Sequence, residues 1–362
     1  MSGPQLPGMP QGLTPQWMTL ALRESQIIPL EASVTALECQ QVGEGVGMMS
    51  ELSRLVLTYD QELVDTPTQF IAKYPSQNAT NRGVAMSFNL YEREVRYFSE
   101  LESQTTAFSP RAFIAELQGD NFLLLLEDLG DYRTGDQIKG ADLSESRAAV
   151  SELAKLHAAF WNDVDRIDWI PHISGSYHAD NMQAGAAAGW SNMVAVFGES
   201  LPSAVAGAKD AFCAALPRLQ RGMDEGPVTL IHGDFRMENF LFGTKAEHQR
   251  MAIIDWQGPL LGKGMVDVAL VLGQSTQTGV RRANERNLVQ QYVSELAEFG
   301  VTYAYEQAWQ DYLEAMLYNW CYVVVVSGTL DAGNERAFAW MSKMILRQVA
   351  AMQDHNLLQR LS

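Results

Sequence analysis

The spacing of apolar and polar residues changes character about a third of the way along the chain. Short β-rich runs come first, at residues 52–59, 69–75 and 121–130, the last with four consecutive leucines. Two helical stretches accompany them. One is at 14–24. The other, at 86–101, places Leu90, Val95, Tyr97, Phe98 and Leu101 on one face. Beyond Leu143 the helical period dominates, at 144–161, 203–221, 265–274, 284–298, 306–326 and 335–353. Two short apolar strands, around 230–242 and 253–257, interrupt it. This order predicts an α+β chain with a small antiparallel sheet plus helix, then a larger, mainly helical part. The expected divisions are a flexible Pro- and Gly-rich arm at 1–13, a first lobe at 14–129 and a second at 130–362.

Composition narrows the class. The 362 residues suffice for two lobes around a cleft, and 47% hydrophobic with 19% charged residues indicates a globular protein. A net charge of −17 argues against nucleic acid and against anionic membrane surfaces as partners. The most apolar run, 315–330, is interrupted by Asn319, Ser327 and Gly328, so it predicts a buried helix and not a membrane span. No secretory signal is visible. Cys39, Cys213 and Cys321 form no Cys-x-x-Cys unit and are odd in number, which favours a reducing, cytoplasmic setting.

The chemistry concentrates in Leu230-Ile231-His232-Gly233-Asp234-Phe235-Arg236-Met237-Glu238-Asn239 and in Ile253-Ile254-Asp255-Trp256-Gln257. A carboxylate, an amide and a second carboxylate ride on apolar strands. Phosphoryl transfer uses that set: one Asp orients and deprotonates a hydroxyl, while the Asn and the other Asp hold Mg²⁺ against phosphates. His232-Gly233-Asp234 with Asn239 resembles the catalytic loop of the aminoglycoside phosphotransferase and choline kinase-like superfamily. Gln257 after Trp256 is similar to the ecdysteroid kinase-like branch. The resemblance implies a bilobal protein-kinase-like fold, with Asp234 as general base and Asn239 and Asp255 as metal ligands.

Upstream residues appear in the order that the resemblance requires. Gly43, Gly45 and Gly47 would cover the ATP phosphates. They match neither the dinucleotide fingerprint nor a P-loop, and alone they read equally well as a hairpin turn. Lys73, in an apolar strand, would meet the α- and β-phosphates, whereas nearby Pro75 favours a plain strand-end lysine. Glu92 and Glu94 are both candidates to pair with it, and Glu94 fits the resemblance, being followed by paired aromatics. The Glu127 carbonyl and Leu129 N–H would receive adenine. Arg236 either touches a phosphate, neutralises neighbouring carboxylates, or is a surface arginine. His157, on a helix, is expected to be a core or loop-supporting histidine, and Asp267 to cap or brace the loop.

Protein kinase activity is disfavoured, because no Ala-Pro-Glu follows residue 257. The expected activity is transfer of the ATP γ-phosphate to a hydroxyl of a small molecule. Aromatics at Trp309, Tyr312, Tyr318, Trp320, Tyr322 and Trp340 suit a bulky apolar alcohol such as a sterol-like compound, although helical spacing puts most of them in the core. An aminoglycoside would need clustered acids, for which Asp311 and Glu314 are the candidates. A non-catalytic ATP-binding scaffold is the third reading. The acceptor's identity and the oligomeric state are not encoded in any motif.

Overall fold

The computed structural model describes residues 5–42, 49–330, 333 and 335–361. The chain divides into two compact units. The first comprises the chain through Gln104, Ser109–Asp131 and Ile254–Gly258. The second comprises Thr105–Phe108, Tyr132–Ile253 and the chain from Pro259.

The first unit contains α1 (Pro15–Glu24), β1 (Val34–Val42), β2 (Ser50–Tyr59), β3 (Gln69–Pro75), α2 (Ala79–Ser87), α3 (Leu90–Arg96), β4 (Ala112–Gln118) and β5 (Asn121–Glu127). The strands form one antiparallel sheet in the order β1-β2-β3-β5-β4, so β3 lies at its centre. Thr14 starts α1 by accepting the Trp17 amide at 3.2 Å, with Pro15 at the first helical position. Alternation along β3 sends Phe70, Ala72 and Tyr74 into a core shared with Met18, Leu22, Leu55 and Leu125. Lys73 therefore faces the other side of the sheet.

Two expectations are corrected in this unit. The stretch 86–101 is not one helix: Asn89 adopts φ +54°, which ends α2 and starts α3, and a π-helical turn follows at Tyr97–Leu101. Asn tolerates that left-handed backbone better than most residues. The arm at 1–13 is packed where it is described. Leu6 and Leu13 are buried in the core, the Trp17 indole donates to the Gln5 carbonyl at 2.9 Å, and the Leu6 amide donates to Gln118 at 3.0 Å. Its few apolar side chains are enough to dock it.

The second unit holds β6 (Arg133–Thr134), α4 (Leu143–Ala159), α5 (Ser176–Phe197), α6 (Ser203–Ala206), α7 (Lys209–Gly222), β7 (Thr229–Ile231), β8 (Phe240–Phe242), β9 (Met251–Ile253), β10 (Leu260–Gly262), α8 (Met265–Leu270), α9 (Thr278–Glu298), α10 (Tyr305–Tyr318), α11 (Trp320–Thr329) and α12 (Glu335–Asp354). Asp142 and Glu145 form a capping box at the start of α4. Two small sheets, β10-β7 and β6-β8-β9, carry the loops of interest. The expected helix at 306–326 divides at Asn319, whose side chain donates to the Val266 carbonyl at 2.9 Å and ties the division to α8. The expected helix at 203–221 divides at Gly207. The stretch 177–200, with no element assigned from sequence, is largely α5. It packs closely on α11, where a Cβ at Gly328 would overlap the Gly189 backbone. Among the described residues no helix is long and apolar enough to cross a membrane.

Candidate active site

In the first unit the buried Lys73 ammonium lies 2.6 Å from Glu94 Oε1 and 2.7 Å from Asp255 Oδ1. Glu94 comes from α3 and is 1% exposed, whereas the Asp255 side chain keeps 37% exposure. Glu92, the other candidate, pairs with Arg96 at 3.5 Å on the surface. Two carboxylates share one ammonium. Burial opposes the charge on Lys73, but Asp255 and Glu94 outweigh it and raise its pKa. Burial pushes the Glu94 carboxyl up to about 7 despite Lys73, with the Asp255 charge adding to the shift.

Asp255, Trp256 and Gln257 are held as a unit. Asp255 has φ +67°, a backbone region that Asp tolerates better than bulky residues do. The fully buried Trp256 ring stacks on Tyr97 at 3.7 Å and 9°, and its Nε1 donates to Ser109 at 3.2 Å. Gln257 Nε2 donates to Asp255 Oδ1 at 2.7 Å and to Ser50 Oγ at 3.0 Å. The glutamine is thus a donor to the carboxylate, a role its sequence position did not disclose. Gly43, Gly45 and Gly47 lie outside the described residues. Glu127 ends β5, and Leu129 lies two residues on. The turn between them is fixed by Arg54, which binds Asp128 at 2.6 and 3.1 Å.

In the second unit, β7 delivers His232, Gly233 and Asp234. The wholly buried Asp267 carboxylate accepts the His232 amide at 2.7 Å and the Gly233 amide at 3.1 Å. Gly233 has φ +79°, which lets the chain turn there without a Cβ. His157 Nε2 lies 3.5 Å from Asp267, and its Nδ1 shares a 2.7 Å hydrogen bond with Tyr292. Asp267 and His157 therefore brace the loop from beneath.

Above that brace the Asp234 side chain is 26% exposed. Its Oδ1 accepts from the Tyr322 hydroxyl at 2.5 Å and from Arg236 Nε at 3.1 Å. Its Oδ2 accepts from Arg236 Nε at 3.2 Å and from Asn239 Nδ2 at 3.0 Å. Asn239 also donates to the Asp234 carbonyl at 2.8 Å. Arg236 is bound to Glu238 at 2.5 Å and lies 5.1 Å from the Trp340 ring centroid, so it neutralises neighbouring carboxylates. Burial opposes its charge, but Asp234 above all raises its pKa. Sequence reasoning placed Tyr322 only in a pool of helical aromatics, because nothing local links residue 322 to residue 234.

The other aromatics and acids separate by burial. Trp309, Tyr312, Tyr318 and Trp320 are core residues, while Tyr322 and Trp340 are partly exposed beside the loop. Asp311 is buried against Lys263 at 2.7 Å and Tyr303 at 2.6 Å. Among the described residues no cluster of three or more His, Cys, Asp or Glu side chains is arranged to hold a metal.

The family model for the ecdysteroid kinase-like family matches residues 44–303. No curated protein matches the chain by sequence. Among solved structures, a choline kinase from Cryptosporidium parvum Iowa II shares 10% identity at a TM-score of 0.56, with 92% of this chain and 95% of that chain covered. A mutant aminoglycoside 2'-phosphotransferase-IIIa in complex with GDP shares 12% identity at a TM-score of 0.55, with 96% of this chain and all of that chain covered. At these identities the likeness establishes a kinase-like fold.

Proposed function

The chain belongs to the ecdysteroid kinase-like family and is a small-molecule kinase; from that premise we propose that it moves the γ-phosphate of ATP to a hydroxyl of a bulky, largely apolar alcohol, with a sterol-like compound as the type. The observation that supports this acceptor class most is the setting of Asp234, which Tyr322 touches and near which Trp340 underlies Arg236. Aromatic walls favour an apolar body and leave one polar group to find the carboxylate. A polycationic aminoglycoside has less support, because Asp311 is already neutralised inside the fold. A non-catalytic scaffold has less still, since Lys73, Asp234, Asn239 and Asp255 are all present.

In this reading Asp234 aligns the acceptor hydroxyl and takes its proton as the bond to phosphorus forms. Arg236 and Asn239 fix the carboxylate's direction. Lys73, held by Glu94, binds the α- and β-phosphates. Gly43, Gly45 and Gly47 cover the phosphates, and the Glu127 carbonyl and Leu129 N–H receive adenine. Asn239 and Asp255 offer an amide oxygen and a carboxylate, hard donors that fit Mg²⁺ and not a thiophilic metal. When bound, Mg²⁺ supplies charge neutralisation at the phosphates.

The test is mass detection of phosphorylated product from Mg-ATP with a panel running from sterols and other apolar alcohols to aminoglycosides. Product from an apolar alcohol that vanishes in Asp234→Ala is the expected result. Product from aminoglycosides alone would overturn the acceptor class, and product that persists in Asp234→Ala would overturn the base.

A further inference from the structure

Three donors surround the Asp234 carboxylate, one of them shared by both oxygens. An ionised carboxylate offers about four lone-pair positions. The single Arg236 Nε–H is shared between the two oxygens, Tyr322 is a further donor at Oδ1 and Asn239 a further donor at Oδ2. A hydroxyl that gives its proton to Asp234 competes with these donors for an oxygen. Arg236 is also bonded to Glu238 and is charged, and Asn239 is also bonded to the Asp234 carbonyl. Tyr322 contributes a neutral hydroxyl, the same functional group that an alcohol acceptor would bring, 2.5 Å from Oδ1.

The position of Tyr322 is built by packing. It sits on α11, which approaches α5 closely because Gly189 and Gly328 meet backbone to backbone. Gly185 meets Val325 one turn away. Helices this close hold the hydroxyl at a defined height over the loop. A tethered group competes with solvent at high effective concentration, since its translational entropy is already lost.

We propose that Tyr322 is the occupant that the acceptor displaces, and that it guards Asp234 against water until then. This rests on the reading of Asp234 as the base. Without the guard, a water donating to Oδ1 would attack the γ-phosphorus of ATP. Its O–P bond would form as the bond from γ-phosphorus to the β,γ-bridging oxygen breaks. The electron pair would leave with ADP and the water's proton would pass to Asp234, so the phosphate would be wasted. An acceptor overcomes the guard because burial of its apolar body contributes binding energy that water lacks.

The experiment needs no acceptor. Phosphate release from Mg-ATP alone is measured for the wild type, Tyr322→Phe, Asp234→Ala and the double variant. Losing a hydrogen bond to a charged group corresponds to roughly tenfold or more, so Tyr322→Phe should release phosphate about that much faster. Its Mg-ATP dissociation constant by calorimetry should match the wild type, and the double variant should fall to the Asp234→Ala level. Wild-type release by Tyr322→Phe overturns the guard. Fast release that survives in the double variant bypasses Asp234 and overturns the base reading itself. Stable phosphate on Tyr322 by intact mass also overturns the guard, because the hydroxyl would then be an acceptor. Should Tyr322→Phe fail to fold, Gly328→Ala keeps the hydroxyl while forcing α11 from α5, and it should leak in the same direction.

Discussion

The Lys73 ammonium binds Glu94 at 2.6 Å while it binds Asp255 at 2.7 Å, so one buried cation answers two carboxylates 161 positions apart in the chain. Burial, with a smaller contribution from the Asp255 charge, is what gives Glu94 its unusual proton affinity. The two contacts hold the Lys73 ammonium in place.

The pH dependence of stability should carry the mark of Glu94. Its folded pKa of about 7 exceeds the ordinary 4.5. Its contribution is therefore fully present below about 4.5 and is lost as pH rises to about 7. Relative to Glu94→Gln, wild-type stability should fall across that window by an amount of order 3 kcal/mol, then level off. Parallel urea-denaturation profiles of the two proteins from pH 4 to 8 would argue against a perturbed Glu94.

Asp234→Asn preserves shape while removing the base. Turnover should drop by about 10²–10⁴-fold, with Mg-ATP affinity by calorimetry nearly unchanged. Loss of nucleotide binding in step with turnover would assign Asp234 to the donor side instead.

Asp255→Asn keeps a residue that tolerates φ +67° and removes the negative charge. The Mg²⁺ concentration for half-maximal turnover should rise. An unshifted titration would show that Asp255 is not a ligand.

Asp267→Ala should damage folding and turnover together. It strands the His232 and Gly233 amides, at about 1–3 kcal/mol for each buried unsatisfied donor. Asp267→Asn retains one acceptor oxygen and should lose less. Equal melting temperatures for the wild type and Asp267→Ala would remove the brace from the account.

The sequence by itself was enough for the class of the fold, and it singled out the residues proposed to carry chemistry. Period-2 runs before residue 130 and period-3.6 runs after 143 follow from backbone geometry, and motif order along the chain identified Lys73, Asp234, Asn239 and Asp255 as candidates. The family resemblance also supplied the expectation that Asp267 caps or braces the loop. Apart from the Lys73–Glu94 pair, which the resemblance anticipated, tertiary structure decided how those groups are partnered. Gln257 reaches Ser50 across 207 positions and Tyr322 reaches Asp234 across 88. Whether Tyr322 is core or site depends on how closely Gly189 lets α5 meet α11. Asn89 divides a helix that periodicity left whole, because a single left-handed residue reorients the chain without altering the apolar pattern. Hydrophobic spacing reports which face of an element is buried; a hydrogen bond between distant side chains depends on where whole elements pack, which no local window contains.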